Sequence, residues 1–216
     1  MPALAKVRPK VMASVPLIME KIYRGKIVPT FQKKAITRKL YGWDWSRKLL
    51  HRIAGKQLMK LFGGRMRLFA IGGAKFDSEA ERFLYEAKFP YGIGYGLTET
   101  APLVAGCVGK MVRIGSTGPA LPAVNIRLDD INPETGQGEI VVNTPCCMKG
   151  YYKNDEATQA AFTKDGWFRT GDLGALSKDG SIYIKGRLKN MIVGPSGENI
   201  YPEDIEEVLN SNRFVA

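Results

Sequence analysis

Apolar residues along the first ninety positions fall into short runs and helical rows. Residues 10–14 (KVMAS) read as a buried strand, and Pro16 opens a helix in which Leu17, Ile18, Ile22 and Tyr23 recur at helical spacing. Gly25 is its expected C-cap. From residue 30 to 61 the pattern stays helical, with Phe31, Leu40, Leu49, Leu50, Ile53, Leu58 and Leu61 as an apolar stripe broken at 41–45. Residues 67–71 (RLFAI) form a second strand that ends on Gly72, Gly73 and Ala74, and Asp77 starts a helix with Ala80, Phe83, Leu84 and Ala87 inward. Pro90 stops that helix, and residues 91–95 form the next strand.

After Pro102 the periodicity shortens to alternating strands separated by turn residues, as in a β-rich unit. Strands are expected at 125–128, 139–143 and 181–184, turns at 132–136 and 178–180, and a short helix at 155–162. Asp172 falls in a Thr170-Gly171 turn beside Trp167 and Phe168. A new apolar run, Met191 to Val193, precedes Gly194, Pro195, Ser196 and Gly197. Pro202 then suits the first position of a helix with Glu203 and Asp204 in its first turn and Ile205, Val208 and Leu209 on one face. The pattern is therefore α/β, a sheet with helices over about residues 1–108 and a β-rich part over about 109–188, with a boundary near 189.

The net charge of +11 changes this picture because it is local. Residues 1–67 carry seventeen Lys and Arg against two acids, Glu20 and Asp44, a net +15, while the remainder carries −4. Such a segment suits nucleic acid, an anionic lipid surface or a phosphate-rich ligand, and equally the solvated face of helices in a larger protein. No run of about 18 apolar residues marks a spanning helix, and the N-terminus lacks the apolar stretch of a secretory signal. A cytoplasmic protein is expected. Cys107 stands alone and Cys146 adjoins Cys147, which fits neither a metal knuckle nor a disulfide framework. His51, with no second histidine in the chain, reads as structural.

Candidate chemistry concentrates in residues 91–102, YGIGYGLTETAP. Gly92, Gly94 and Gly96 let backbone approach a ligand, Tyr95 offers a flat face for a base, and Thr98 and Thr100 offer hydroxyls to phosphoryl oxygens. Glu99 is an oxygen ligand of the kind Mg²⁺ takes when it also holds a nucleotide's phosphates. An ordinary glycine-rich turn after a strand has the same composition. Asp172 has the chemistry to accept hydrogen bonds from two vicinal hydroxyls, or to cap its own turn.

Taken together, YGLTET (95–100), GWFRTGD (166–172) and KGRLKNMIVGPSGENIYPEDIE (185–206), in that order, resemble the adenylate-forming enzymes: acyl-CoA synthetases, luciferases and peptide-synthetase adenylation domains. VMASVPLIMEKIY (11–23), GGA (72–74) and MKGYYKN (148–154) are similar to the long-chain fatty acyl-CoA synthetase branch. The resemblance spans nearly the whole chain. It implies that a carboxylate attacks the α-phosphate of ATP, releasing pyrophosphate, and that the thiol of coenzyme A then displaces AMP from the acyl-adenylate. It implies Tyr95 as the adenine-stacking aromatic, Gly96 beside it, Thr98 as a phosphate-contacting hydroxyl and Glu99 as the Mg²⁺ ligand. Asp172 and Arg187 become the ribose clamp. Gly72, Gly73 and Ala74 line the adenine and acyl side, and Lys189 is the hinge about which a small C-terminal domain rotates.

On this resemblance residues 1–188 correspond to the latter part of the large domain, a mixed sheet with helices plus a β-rich subdomain, and residues 189–216 to the start of a small α+β domain. Two parts of the family pattern are missing: the Ser/Thr/Gly-rich phosphate loop and the lysine-bearing motif near the end of the small domain. The expectation is a fragment of a fatty acid–CoA ligase using ATP, Mg²⁺ and coenzyme A, without ligase activity by itself. Two alternatives stay open. One is an enzyme that passes acyl-adenylate to a carrier protein. The other is a non-catalytic basic module on lipid or nucleic acid. For the enzyme reading, nucleic acid is not a partner, and contact with an anionic membrane rests on the basic third and a greasy substrate.

Overall fold

A computed structural model describes residues 2–33, 35–194 and 199–211 of the chain. The Pro195, Ser196 and Gly197 turn lies outside the described residues, as do the side chains of Glu203 and Asp204. The chain divides into two compact units. Unit 1 comprises residues 1–93 and 108–115, and unit 2 comprises residues 94–107 and 116–216.

Unit 1 opens with α1 (Pro2–Val7), β1 (Val11–Ser14) and α2 (Pro16–Ile22), the last started by Pro16 at a position whose missing N–H costs nothing. Gly25 does not cap α2. The chain widens into a π-helical turn, Tyr23–Ile27, and continues as α3 (Val28–Gln32), because buried Tyr23, Ile27 and Phe31 hold the helix on the core past the glycine. After α4 (Ala35–Tyr41) the break spans only Gly42 and Trp43, and α5 (Asp44–Leu61) already contains Asp44 and Trp45. β2 (Leu68–Gly72) pairs in parallel with β1, Val11 opposite Leu68 and Ser14 opposite Ile71. Asp77 is the N-cap of α6 (Ser78–Glu86), its carboxylate accepting the Ala80 N–H at 2.8 Å.

The core of unit 1 is built from fully buried Met19, Phe62, Phe69, Ile71, Phe83 and Leu84. Two acids sit inside it. Glu81 accepts the Tyr91 hydroxyl at 3.2 Å and the Gly115 N–H at 2.8 Å, and burial raises its pKa. Glu86 is gripped by Arg47 and lies 2.9 Å from His51 Nδ1, a contact outside hydrogen-bond geometry. His51 is a buried ring among Phe31, Tyr41 and Phe83, with Nε2 3.0 Å from the Tyr41 hydroxyl. Its structural reading holds.

The first sheet runs in the order β1-β2-β3-β4, where β3 (Tyr91–Gly96) passes from unit 1 into unit 2 and β4 is Leu103–Val108. In unit 2, β5 (Asn125–Asp129), β6 (Gly138–Asn143), β7 (Phe168–Leu176) and β8 (Ile182–Arg187) form an antiparallel meander in sequence order, with α7 (Asp155–Ala160) inserted between β6 and β7. Its core joins Val104 and Ala105 of β4 to Ile140, Val142, Phe168 and Ile182. β9 (Ile192–Val193) and β10 (Asn199–Ile200) form a small ladder before α8 (Pro202–Ser211).

The segment read as a Thr-Gly turn is instead the middle of β7. Gly171 takes φ +69° and the register shifts just beyond Asp172, so the strand bends without ending. The overall class is mixed α/β, as the pattern implied. No helix among the described residues is long and apolar enough to cross a membrane.

Candidate functional site

Gly96 ends β3 in unit 2 because no other residue fits there. A Cβ at this position would lie 1.7 Å from the carbonyl oxygen of Pro102. The chain turns through a 3₁₀ helix, Thr98–Thr100, closed by Ala101 at φ +54°. Buried Thr100 fastens this turn by accepting the Leu97 N–H at 3.2 Å and donating to carbonyls of the loop, so it is committed to structure. Thr98 is exposed and Glu99 half-buried.

Tyr95, one strand residue earlier, is packed against the unit 2 core and donates its hydroxyl to Asp172 Oδ2 at 2.7 Å. Burial, and then the Asp172 charge, push the Tyr95 phenol far above its ordinary range, so it remains a donor. Asp172 Oδ1 lies 3.0 Å from Arg187 Nε, directly across the β7–β8 ladder. The carboxylate is 6% exposed and the guanidinium 58%. Three residues from three strands, with Tyr95 and Asp172 77 positions apart, thus form one polar cluster.

The backbone under Asp172 is braced by Glu139, which the sequence did not single out, and by Thr170. Glu139, buried in β6, accepts the Gly171 N–H at 3.2 Å and pairs with Arg169. Thr170 donates to the Ile140 carbonyl at 2.7 Å and accepts the Asp172 N–H at 3.1 Å. The one available signal was an acid opening the otherwise apolar EIVV strand.

Glu99 has its own partners. Its carboxylate accepts the Tyr151 hydroxyl at 3.0 Å, and its carbonyl accepts the Met148 N–H at 2.7 Å, so the MKGYY segment is anchored to the YGLTET loop. Tyr151 lies in the MKGYYKN segment, whose local pattern gives it no role. Among the described residues no three His, Cys, Asp or Glu side chains cluster as a metal cage. A single carboxylate still fits Mg²⁺, which keeps waters and takes phosphate oxygens for the rest of its shell.

Gly72 closes β2 in unit 1, with Gly73 at φ +89° and Gly73 and Ala74 exposed. Lys189 is exposed within a 3₁₀ turn, Leu188–Asn190, directly after β8. Arg187 and Lys189 are therefore neighbours in chain, but only Arg187 belongs to the cluster with Asp172 and Tyr95.

Comparison with known proteins gives this geometry a context. A family model described as AMP-binding enzyme matches residues 1–152. The long-chain-fatty-acid–CoA ligase FadD15 of Mycobacterium bovis is 31% identical across all of this chain and 38% of its own length. Long chain acyl-CoA synthetase 1 of Arabidopsis thaliana is 33% identical over 98% of the chain and 36% of its own. Among solved structures, ATP-bound MatB from Rhodopseudomonas palustris superposes with a TM-score of 0.74 at 26% identity, covering 98% of this chain and 37% of that one. The chain spans little more than a third of the length of these relatives. By its sequence model and its fold, the chain belongs to the AMP-binding, adenylate-forming enzyme family.

Proposed function

We propose that the chain supplies the ribose- and metal-facing wall of an ATP site in a fatty acid–CoA ligase. The observation that carries this reading is the Tyr95–Asp172–Arg187 cluster, a covered carboxylate held by a phenol and a guanidinium at the end of the YGLTET strand. In the proposed complex Asp172 accepts hydrogen bonds from the ribose hydroxyls, with Arg187 fixing its orientation. Tyr95 lies against adenine. Thr98 donates to a phosphoryl oxygen. Glu99 is the protein ligand of a Mg²⁺ ion that, when bound, offsets charge on the phosphates.

The reaction proposed for the whole protein forms the acyl-adenylate from a fatty acid and ATP and then an acyl-CoA thioester. Residues 1–188 are the latter part of the large domain in this scheme, and residues 189–216 begin the small one. Lys189, exposed in the short turn that follows β8, is the proposed hinge, since a hinge needs only a few residues to absorb the backbone change. Preference for long chains draws support from the curated relatives, which are named for long-chain acids. Turnover is a property of the longer protein. The 216 residues, without a phosphate loop, are expected to show little.

The test is AMP release by the parent-length enzyme across a series of fatty acid lengths, with E99Q as the control. The proposal expects acid-dependent AMP release that rises with chain length and falls at least about a hundredfold in E99Q, the scale on which single electrostatic contacts to a transition state act. Unchanged turnover in E99Q would remove Glu99 from the metal site. AMP release without acyl-CoA product would shift the acceptor from coenzyme A to a carrier protein.

A further inference from the structure

The chain between β6 and β7 reaches Glu99 at two points. The Met148 N–H donates to the Glu99 carbonyl at 2.7 Å, and the Tyr151 hydroxyl donates to Glu99 Oε1 at 3.0 Å. The segment that carries Tyr151 is itself fixed. Asn154 caps α7 by accepting the Ala157 N–H at 3.0 Å, and Thr158 of that helix donates to the Asn154 carbonyl at 2.8 Å. The Thr158 hydroxyl oxygen also accepts the Tyr151 N–H at 2.9 Å, so the backbone bearing the tyrosine is held from the helix. Gly150 makes room for that contact, since a Cβ there would lie 2.7 Å from Thr158 Cγ2. Yet α7 is six residues long and buries none of them, so apolar packing, the usual support of so short a helix, does not account for its order. Every one of these residues belongs to unit 2.

We propose that Tyr151 is a positioning residue for Glu99, its hydroxyl holding Oε1 so that Oε2 is the oxygen offered to Mg²⁺. This inference rests on the reading of Glu99 as the metal ligand. Mg²⁺ demands near-ideal octahedral geometry and is usually held by one or two carboxylates plus water and phosphate oxygens. An acid on a three-residue 3₁₀ turn must therefore present one oxygen in one direction. A free Glu side chain would be ordered only as the ion binds, at an entropic cost. An ionised carboxylate only accepts hydrogen bonds, so the phenol is a fitting partner for the oxygen that the ion does not take. Carboxylates that ligate metals are commonly oriented in this way by a hydrogen-bonding neighbour. The adjacent tyrosine does not share the role: Tyr152 is 88% exposed, with Lys153 Nζ 5.3 Å from its ring centroid.

The experiment is equilibrium dialysis of ATP with the parent-length enzyme, without Mg²⁺ and over a range of Mg²⁺ concentrations, for the parent and for Y151F, Y152F and E99Q. Y151F is expected to raise the Mg²⁺ concentration that gives half of full ATP binding about tenfold or more, the scale on which partners of metal ligands act. Its metal-free ATP affinity should equal the parent's. Y152F, which loses the same hydroxyl one position on, should match the parent throughout, and E99Q should lose the enhancement by Mg²⁺. No shift in Y151F while E99Q loses the enhancement would overturn the role of Tyr151 and leave the Glu99 reading standing. An enhancement that survives in E99Q would overturn that reading and this inference with it. Three further results would contradict the proposal: an equal loss of ATP binding with and without Mg²⁺ in Y151F, as for a merely structural residue; a shift as large in Y152F; or a lower Mg²⁺ requirement in Y151F, which would make the hydroxyl a competitor of the ion.

Discussion

Asp172 and Arg187 face each other across the β7–β8 ladder, with the guanidinium Nε 3.0 Å from Oδ1. Because the guanidinium is more than half exposed, the pair contributes little to folding: exposed ion pairs are worth about 0–1 kcal/mol. Its value lies in fixing the direction of a carboxylate that is itself covered. R187Q is therefore expected to change the unfolding free energy by no more than about 0.5 kcal/mol. The same variant should weaken ATP binding about tenfold, on the order of one charge-assisted hydrogen bond. Urea denaturation and equilibrium dialysis read the two effects separately. A stability loss without a change in ATP affinity would make Arg187 structural.

The close approach of Gly96 to Pro102 predicts a sharp steric effect. The Cβ added by G96A meets a backbone carbonyl, which cannot swing aside as a side-chain tip would. A destabilisation of about 3 kcal/mol or more is expected, at the upper end of overpacking costs. Urea denaturation of the variant checks it. A midpoint equal to the parent's would mean that the loop relaxes freely, contrary to the tight turn described for Thr98–Thr100.

His51 carries a pH prediction. Burial lowers its pKa below the ordinary 6.5, outweighing attraction by Glu86, while Arg47 and Arg82 add to the lowering. A folded-state pKa below the unfolded one means that the stabilisation is present above pH 6.5 and is lost as pH falls through the folded value. Glu86 has the same sign at lower pH: burial alone would raise it, but Arg47 holds it below 4.5. Glu81 runs oppositely, since its raised pKa gives stability that fades as pH rises. Because these slopes oppose, the direct readout is the proton resonance of the chain's single imidazole. Its NMR titration midpoint is expected below 6.5, and a midpoint above that would contradict the neutral buried ring.

Much of unit 1 was legible because its elements obey one period each. The KVMAS and RLFAI runs became β1 and β2, shifted by a residue at the ends, and the Asp77 cap is where an acid before an apolar row should be. Gly25 misled because tertiary packing of Ile27 and Phe31 outweighed its helix-breaking tendency. β7 was hidden for a different reason. FRTGD contains two turn formers, and contacts invisible to local pattern hold that backbone in the sheet: buried Glu139 of the neighbouring β6 accepts the Gly171 N–H, and Thr170 donates to the Ile140 carbonyl. β4 was missed because its small residues, Ala105, Gly106 and Cys107, give little alternation after Pro102.

The candidate site shows the same limit. Tyr95, Asp172 and Arg187 were named from motifs, yet the hydroxyl-to-carboxylate contact that joins Tyr95 to Asp172 spans 77 positions and has no local sequence signal. Tyr151 likewise reaches Glu99 over 52 positions. Such contacts depend on strand order, which one sequence does not print.

In the proposed site Asp172 accepts hydrogen bonds from the ribose hydroxyls of ATP. This is tested most directly by comparing the affinities of ATP and 2′,3′-dideoxy-ATP for the parent chain and for D172A, each by equilibrium dialysis with Mg²⁺. Removing the hydroxyls is expected to weaken binding to the parent by about tenfold or more, as for hydrogen bonds to a charged group. The difference between the two nucleotides is expected to disappear in D172A, where ATP itself binds one to two orders of magnitude more weakly, again about the scale of such bonds. Equal affinities in the parent, or a preference for ATP that persists in D172A, would contradict this role of Asp172.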